Sequence, residues 1–85
     1  MAQVIVTLKI MPKDVEINLD ELEKKIRDKI NPEKVEREPI AFGLVALKII
    51  KIIPDAGGEL EKIENGIKSI EGVGGVEVVG VTRTL

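Results

Sequence analysis

The chain lacks the side chains on which most enzyme sites depend. Its 85 residues include no cysteine and no histidine, and Phe42 is the only aromatic residue. Without cysteine there is neither a disulfide nor a thiolate metal site, and without histidine the commonest metal ligand and general base are missing. Ser69 has no histidine to activate it, and the carboxylates do not have the spacing of a calcium loop. We expect no catalytic residue, no metal site and no cofactor.

Charge and hydropathy argue against two classes of partner. Thirteen basic and fifteen acidic residues give a net charge of −2, without the excess of cations that nucleic-acid backbones attract. The longest uncharged run, residues 39–47, is well short of the roughly 20 residues that cross a bilayer. The first cation, Lys9, follows the apolar N-terminal stretch, which is unlike a secretory signal. The sequence therefore predicts a cytoplasmic domain spanning residues 1–85, with no direct nucleic-acid partner and no membrane.

Four segments are predicted as strands: residues 4–11, which are dense in β-branched residues, 35–42, 44–53 and 73–85. Pro39 has no amide N–H, so the second strand should lie at a sheet edge or be interrupted. Lys48 and Lys51 are three positions apart and cannot share one face of a regular strand. The third strand therefore contains a bulge, or Lys51 extends out of the core at its end. Gly80 predicts an irregularity in the last strand, whose register stays open.

Two segments repeat apolar residues every three or four positions, as amphipathic helices do. Asn18 is positioned to cap the first, with Glu21 three residues later, and Asn31-Pro32 ends it. The second is expected to end at Gly72, and Gly66 within it to allow close packing on the sheet. The two apolar stripes are Leu19, Leu22, Ile26 and Ile30, and Leu60, Ile63, Ile67 and Ile70.

The order of these elements predicts an α+β fold, the ferredoxin-like split βαββαβ sandwich. In that fold a four-stranded antiparallel sheet carries two helices on one face, and the second strand lies at an edge, as Pro39 requires. The other sheet face would expose five apolar residues: Ile5, Met11, Ala46, Ile50 and Ile52. Such a surface favours a partner or a weak homodimer.

Phe42 admits two interpretations. Burying a phenylalanine stabilises a fold by about 1.5–3 kcal/mol, which favours a core position in so small a domain. However, Pro39 and Gly43 flank Phe42 at the end of an expected edge strand, where a loop can present a side chain to a partner. The residue pattern alone leaves both interpretations open.

Residues 38–47, EPIAFGLVAL, resemble the signature of the archaeal elongation factor 1-beta family. The resemblance extends along the chain, from Met11-Pro12 through the first helix start to the segment around Gly72. The chain is also similar to the C-terminal exchange domain of the eukaryotic counterpart, whose motif reads Pro-Ile-Gly-Phe-Gly-Ile. Only Ala41 and Leu44 differ from that version.

The resemblance implies a ferredoxin-like domain that binds the GTPase elongation factor 1-alpha and promotes exchange of GDP for GTP without covalent chemistry. It implies that Phe42 lies in an exposed loop and contacts the GTPase near its nucleotide site, and that a C-terminal cation reaches the Mg²⁺ position. The eukaryotic family has a penultimate lysine, whereas here that residue is Thr84 and the nearest cation is Arg83. The expected GTPase contacts are Pro39, Ile40, Ala41, Phe42, Gly43 and Arg83. Arg83 can replace the lysine only if the strand register shifts near Gly80.

A second hypothesis is a small-molecule binding regulatory domain, of the kind that binds amino acids at a dimer interface. The glycine-rich segment 72–76, which precedes the last strand, is compatible with such a site. This hypothesis leaves the motif at residues 39–47 without an explanation.

Overall fold

The computed structural model describes residues 2–83, which form one antiparallel sheet and two helices. The strands are β1 (Gln3–Pro12), β2 (Lys34–Pro39), β3 (Val45–Pro54) and β4 (Val73–Arg83), and the helices are α1 (Leu19–Ile30) and α2 (Glu59–Lys68). The strand order is β2-β3-β1-β4. The predicted ferredoxin-like fold is confirmed, and β2, which carries Pro39, lies at an edge.

The core lies between one face of the sheet and the two helices. Alternate residues of β1 point into it, since side chains on a strand alternate between the two faces. The largest fully buried side chains are Val6, Leu8, Ile10, Leu22, Ile26, Leu47, Ile49 and Ile67. No polar side chain is buried between residues 2 and 83. No helix within that range is long and apolar enough to cross a membrane.

Helix α1 begins and ends where the sequence predicts. The Asn18 side-chain oxygen accepts a hydrogen bond from the Glu21 amide at 3.1 Å, a cap that stabilises a helix by about 1 kcal/mol. Asn31 adopts a left-handed conformation with φ 47°, and its amide donates to the Arg27 carbonyl at 2.9 Å. Asparagine tolerates this conformation better than most residues, so Asn31 ends the helix.

Helix α2 ends at Lys68, before the predicted end at Gly72. The Ser69 hydroxyl donates to the Gly66 carbonyl at 2.7 Å, and the Ser69 amide closes the last turn on Asn65. The prediction that Gly66 packs on the sheet is also wrong. A Cβ at Gly66 would lie 3.6 Å from Cε of Lys29, so this residue faces α1.

The sequence left two alternatives for β3, a bulge or a Lys51 side chain that extends out of the core, and the second is confirmed. The pairing of β3 with β1 and with β2 contains no register shift, so there is no bulge. The Lys51 ammonium instead donates to the Asn31 carbonyl at 3.1 Å and lies 3.5 Å from the Glu33 carboxylate. The side chain therefore runs from the helix-facing side of the sheet to a polar site at its margin, as long cations at strand ends do.

The sheet face without helices is less apolar than predicted. Ile5, Met11, Ile50 and Ile52 are half-buried, but Ala46 is fully buried, which corrects its expected exposure. A methyl group is short enough to be covered by the larger side chains around it. The register also places a row of four charged residues across this face: Glu36, Lys48, Lys9 and Glu77. The apolar surface is thus interrupted, and weak self-association through it stays a prediction.

Strand β4 contains two irregularities. The register with β1 shifts between Thr7 and Leu8, which leaves Val79 without a partner beside Gly80 and confirms the predicted irregularity there. A second shift lies between Met11 and Pro12, opposite Gly74. Such bulges increase the local twist of an edge strand.

Candidate functional site

The motif at residues 39–47 forms the hairpin that joins β2 to β3. The Ile40 amide donates to the Leu44 carbonyl at 2.8 Å, and the Leu44 amide donates back to Ala41 at 3.3 Å. Between them a single 3-10 turn, Ala41–Gly43, reverses the chain. Ile40 is half-buried, while Pro39, Ala41 and Gly43 are exposed. Five of the six expected contact residues therefore lie together in one short hairpin.

Phe42 lies at the apex of this hairpin with 94% of its surface exposed, so the interpretation as a core residue is wrong. Its backbone is left-handed, with φ 61° and ψ 32°. A bulky side chain in this region is rare, because its Cβ approaches the backbone at a free-energy cost of about 1–2 kcal/mol. Gly43, with φ 75°, continues the left-handed path. The hairpin thus holds an aromatic ring in solvent on a strained backbone.

The strand before the hairpin is fixed to helix α1 by Arg37. Its guanidinium bonds to the Asp20 carboxylate and lies 3.7 Å from that of Glu23. The hydrogen bond to Asp20 raises the pKa of Arg37 above its ordinary value. Because Arg37 is two residues before Pro39, this exposed contact links the base of the hairpin to the helix. Nothing in the local residue pattern marks Arg37, since Asp20 is 17 positions away in the sequence.

The other charged pair on β2 joins Lys34 and Glu36. The Lys34 ammonium lies 2.8 Å from the Glu36 carboxylate. This hydrogen bond lowers the pKa of Glu36 below its ordinary value and raises that of Lys34. The pair lies on the edge strand, where charge protects against pairing with another chain.

Arg83 lies at the opposite end of the sheet from Phe42. It is opposite Val4 on β1, whereas the hairpin precedes Val45 at the Pro12 end of that strand. From Val4 to Pro12 the strand spans about 27 Å at roughly 3.4 Å per residue. Phe42 and Arg83 therefore cannot both contact one nucleotide. The GTPase contact that the sequence resemblance implies for each of the two residues stays a prediction.

The surroundings of Arg83 bear on the comparison with the eukaryotic lysine. Its guanidinium lies 3.5 Å from the Asp55 carboxylate and its side chain is 78% exposed. Arg83 could replace that lysine only if the strand register shifts near Gly80. The structure has such a shift beside Gly80. Thr84, the penultimate residue, lies outside the described residues. The role of Arg83 stays a prediction.

One polar cavity could accept a small ligand. Its volume is about 390 Å³, and it lies between the loop that follows β1 and the start of α1. Side chains of both signs line it, among them Lys13, Glu21, Lys25 and Glu71. Within residues 2–83 no three histidine, cysteine, aspartate or glutamate residues gather as metal ligands.

The fold and the exposed hairpin define a class, a small ferredoxin-like domain with one aromatic side chain exposed at the apex of a hairpin. Comparison with known sequences then identifies the family. Residues 5–84 match the family described as EF-1 guanine nucleotide exchange domain, and the chain belongs to it.

Curated relatives called elongation factor 1-beta match the chain over nearly its whole length. The relative from Methanothermobacter thermautotrophicus is 41% identical, with all of both chains covered. That from Staphylothermus marinus is 46% identical, with 98% of each chain covered. A third, from Thermococcus gammatolerans, is 44% identical over 93% of this chain and 92% of its own. The resemblance to archaeal elongation factor 1-beta is confirmed, and it supports a role in translation elongation.

Proposed function

We propose that this chain promotes the exchange of GDP for GTP on elongation factor 1-alpha, as a single domain of residues 1–85 acting in the cytoplasm. Phe42 carries the proposal. An aromatic ring exposed to 94% on a strained hairpin contributes little to folding and is suited to insertion into another protein. Membership in the exchange-domain family indicates the GTPase as that protein.

The mechanism needs no covalent step. In such GTPases Mg²⁺ bridges the nucleotide phosphates and protein oxygens, so displacing the ion weakens the hold on GDP. The guanidinium of Arg83 would supply positive charge at the Mg²⁺ position while Phe42, at the other end of the sheet, enters a separate apolar pocket of the GTPase. Arginine is planar and bulkier than the lysine of the eukaryotic family, so it would fill this position differently.

Binding of nucleotide and binding of the exchange factor oppose one another by the same amount. If the factor lowers the affinity of the GTPase for GDP by a given ratio, GDP lowers its affinity for the factor by that ratio. Arrival of GTP would therefore release the factor, which could then act on another GTPase molecule. The factor would be needed only in substoichiometric amounts.

The test is the release of a fluorescent GDP analogue from the matching elongation factor 1-alpha, with and without this chain. Acceleration by substoichiometric amounts supports a catalytic exchange factor. No acceleration, with a GTPase shown to bind and hydrolyse GTP, overturns the proposal.

An amino-acid binding domain is the second candidate, and the polar cavity beside Gly72 is the observation that favours it. The glycine-rich segment has a structural explanation, because a Cβ at Gly74 would lie 2.8 Å from the Pro12 carbonyl oxygen. A ligand that binds only the folded state raises the melting temperature. Melting curves measured with each amino acid distinguish the candidates, since a saturable upward shift would support the ligand-binding domain.

A further inference from the structure

Phe42 is not the only large apolar side chain that the described residues expose. Val15 is 64% exposed, in the loop of residues 13–18 that joins β1 to α1. The other two are Val79 and Val81, exposed to 47% and 54%, both in edge strand β4. A single exposed valine needs no explanation, whereas exposed apolar groups that lie close together indicate a contact site.

The loop that carries Val15 is held in place by backbone contacts. The Lys13 amide donates to the Gly72 carbonyl at 2.8 Å. Asp14 closes a turn, because its carboxylate accepts from the Glu16 amide at 2.8 Å and its carbonyl from the Ile17 amide at 3.4 Å. Val15 thus lies at the outer position of a turn, where polar residues, glycine and proline are usual. An exposed β-branched apolar side chain at this position does not stabilise the turn.

This loop packs beside the hairpin that carries Phe42. A cavity of about 40 Å³ lies between them, lined by Asp14, Val15 and Ile17 from the loop and by Gly43 and Leu44 from the hairpin. Gly43 and Leu44 directly follow Phe42 in the chain. The two exposed apolar side chains therefore project from adjacent loops at the same end of the sheet.

We propose that Val15 and Phe42 form one apolar contact surface for the GTPase, with Val15 as a second anchor beside the aromatic ring. This inference rests on the proposed function. The charged residues next to Val15, Lys13, Asp14 and Glu16, are all exposed and would form the polar rim of the contact. The surface fits a protein partner with an apolar pocket wide enough for a phenyl ring and a neighbouring isopropyl group.

The test measures the Kd of nucleotide-free elongation factor 1-alpha for wild type, Val15→Ala, Val15→Asp, Phe42→Ala and the double variant V15A/F42A. We expect Val15→Ala to weaken binding about fivefold and Val15→Asp more strongly, because a carboxylate would have to be desolvated in the pocket. The double variant should lose less than the product of the single losses, since residues in one contact are coupled. Val79→Ala is the matched control, an exposed valine outside this end of the sheet, and should bind as wild type.

The outcomes separate the two proposals. If Phe42→Ala weakens binding while both Val15 variants bind as wild type, the contact surface is overturned and the exchange function stands. Equal losses for Val15→Ala and Val79→Ala also overturn it, because the effect is then not local. If the wild-type chain does not accelerate GDP release, the proposed exchange function is overturned, and so is the contact surface that rests on it. Melting temperatures of all variants within about a degree of one another exclude misfolding as the cause.

Discussion

At Phe42 neither the backbone nor the side chain adds to stability. The left-handed φ of 61° favours glycine, and the exposed ring gains almost no packing energy. No contact within the described residues accounts for a phenylalanine here, and the partner-binding proposal begins from that observation.

Replacing Phe42 should separate stability from function. We expect Phe42→Ala to unfold as wild type does, and Phe42→Gly to be up to about 1 kcal/mol more stable because it relieves the left-handed strain. Both variants should accelerate GDP release at least tenfold less than wild type, a loss typical of an interface anchor. Urea unfolding and the release assay give the two readouts. A clear loss of stability in Phe42→Ala would return Phe42 to a structural role.

Gly74 shows the opposite case, a residue fixed by packing. A Cβ there would lie 2.8 Å from the Pro12 carbonyl oxygen and 2.9 Å from the Lys13 Cα, so backbone would have to move. We expect Gly74→Ala to destabilise the fold by about 1–3 kcal/mol in urea unfolding. Gly75→Ala is the matched control, because nothing lies within 4 Å of a Cβ at that position. Equal stability of the two variants would contradict the close approach of β4 to the end of β1.

At the scale of elements, β2 is paired with β3 and also contacts α1 near the base of the hairpin. Arg37 makes this contact through Asp20 and Glu23. We expect Arg37→Ala to speed hydrogen exchange at the Ile40 amide and to slow GDP release, because the hairpin would move more freely against the helix. Arg37→Lys keeps the charge but not the two-pronged contact, so it should restore only part of the protection. Unchanged exchange at Ile40 would show that Pro39 and the sheet suffice.

The edge of β2 should respond to acid through Glu36. Lys34 lowers the pKa of this carboxyl in the folded state, so the charged form is favoured by folding. The resulting stabilisation is present above the unfolded pKa and is lost as pH falls through the folded one. We expect an NMR titration to place Glu36 below its ordinary value of 4.5, and Lys34→Met to raise it. A titration midpoint unaffected by this substitution would contradict the pairing.

Local rules predict most of these elements. The alternation of β1 and the Asn18 cap each depend on residues a few positions apart, and both are as expected. Pro39 restricts β2 to an edge for the same reason, since one missing amide N–H is a property of one residue. These features need no knowledge of what lies across the fold.

Features set by contacts across the fold could not be predicted in this way. Ile70 continues the apolar spacing of α2, yet the helix has already ended, and the Ile70 amide donates to the Ile67 carbonyl, three positions back instead of four, at 3.0 Å. Ala46 is fully buried although it lies on the sheet face without helices. For Phe42, burial and exposure were both compatible with the residue pattern. The family resemblance implied an exposed loop there, and the hairpin backbone confirms it.

For the whole molecule, the important distance is the length of the sheet. The longest dimension of the chain is 41 Å, and Phe42 and Arg83 lie at opposite ends of it. A rigid domain of this shape would touch the GTPase at two separate places. The domain could bind the GTPase at one end and disturb the metal site at the other. Binding energy gained far from the nucleotide would then be used to release the nucleotide.

This separation predicts that Phe42 and Arg83 act independently. Mutations more than about 10 Å apart with no shared partner usually have additive free energies, so their rate reductions should multiply. We expect the GDP-release rate of the F42A/R83A variant to fall by the product of the single reductions, within about twofold. In contrast, V15A/F42A should fall short of the product in binding. A combined loss no larger than that of Phe42→Ala alone would mean that Arg83 contributes nothing, and that any cation at the Mg²⁺ position comes from another residue.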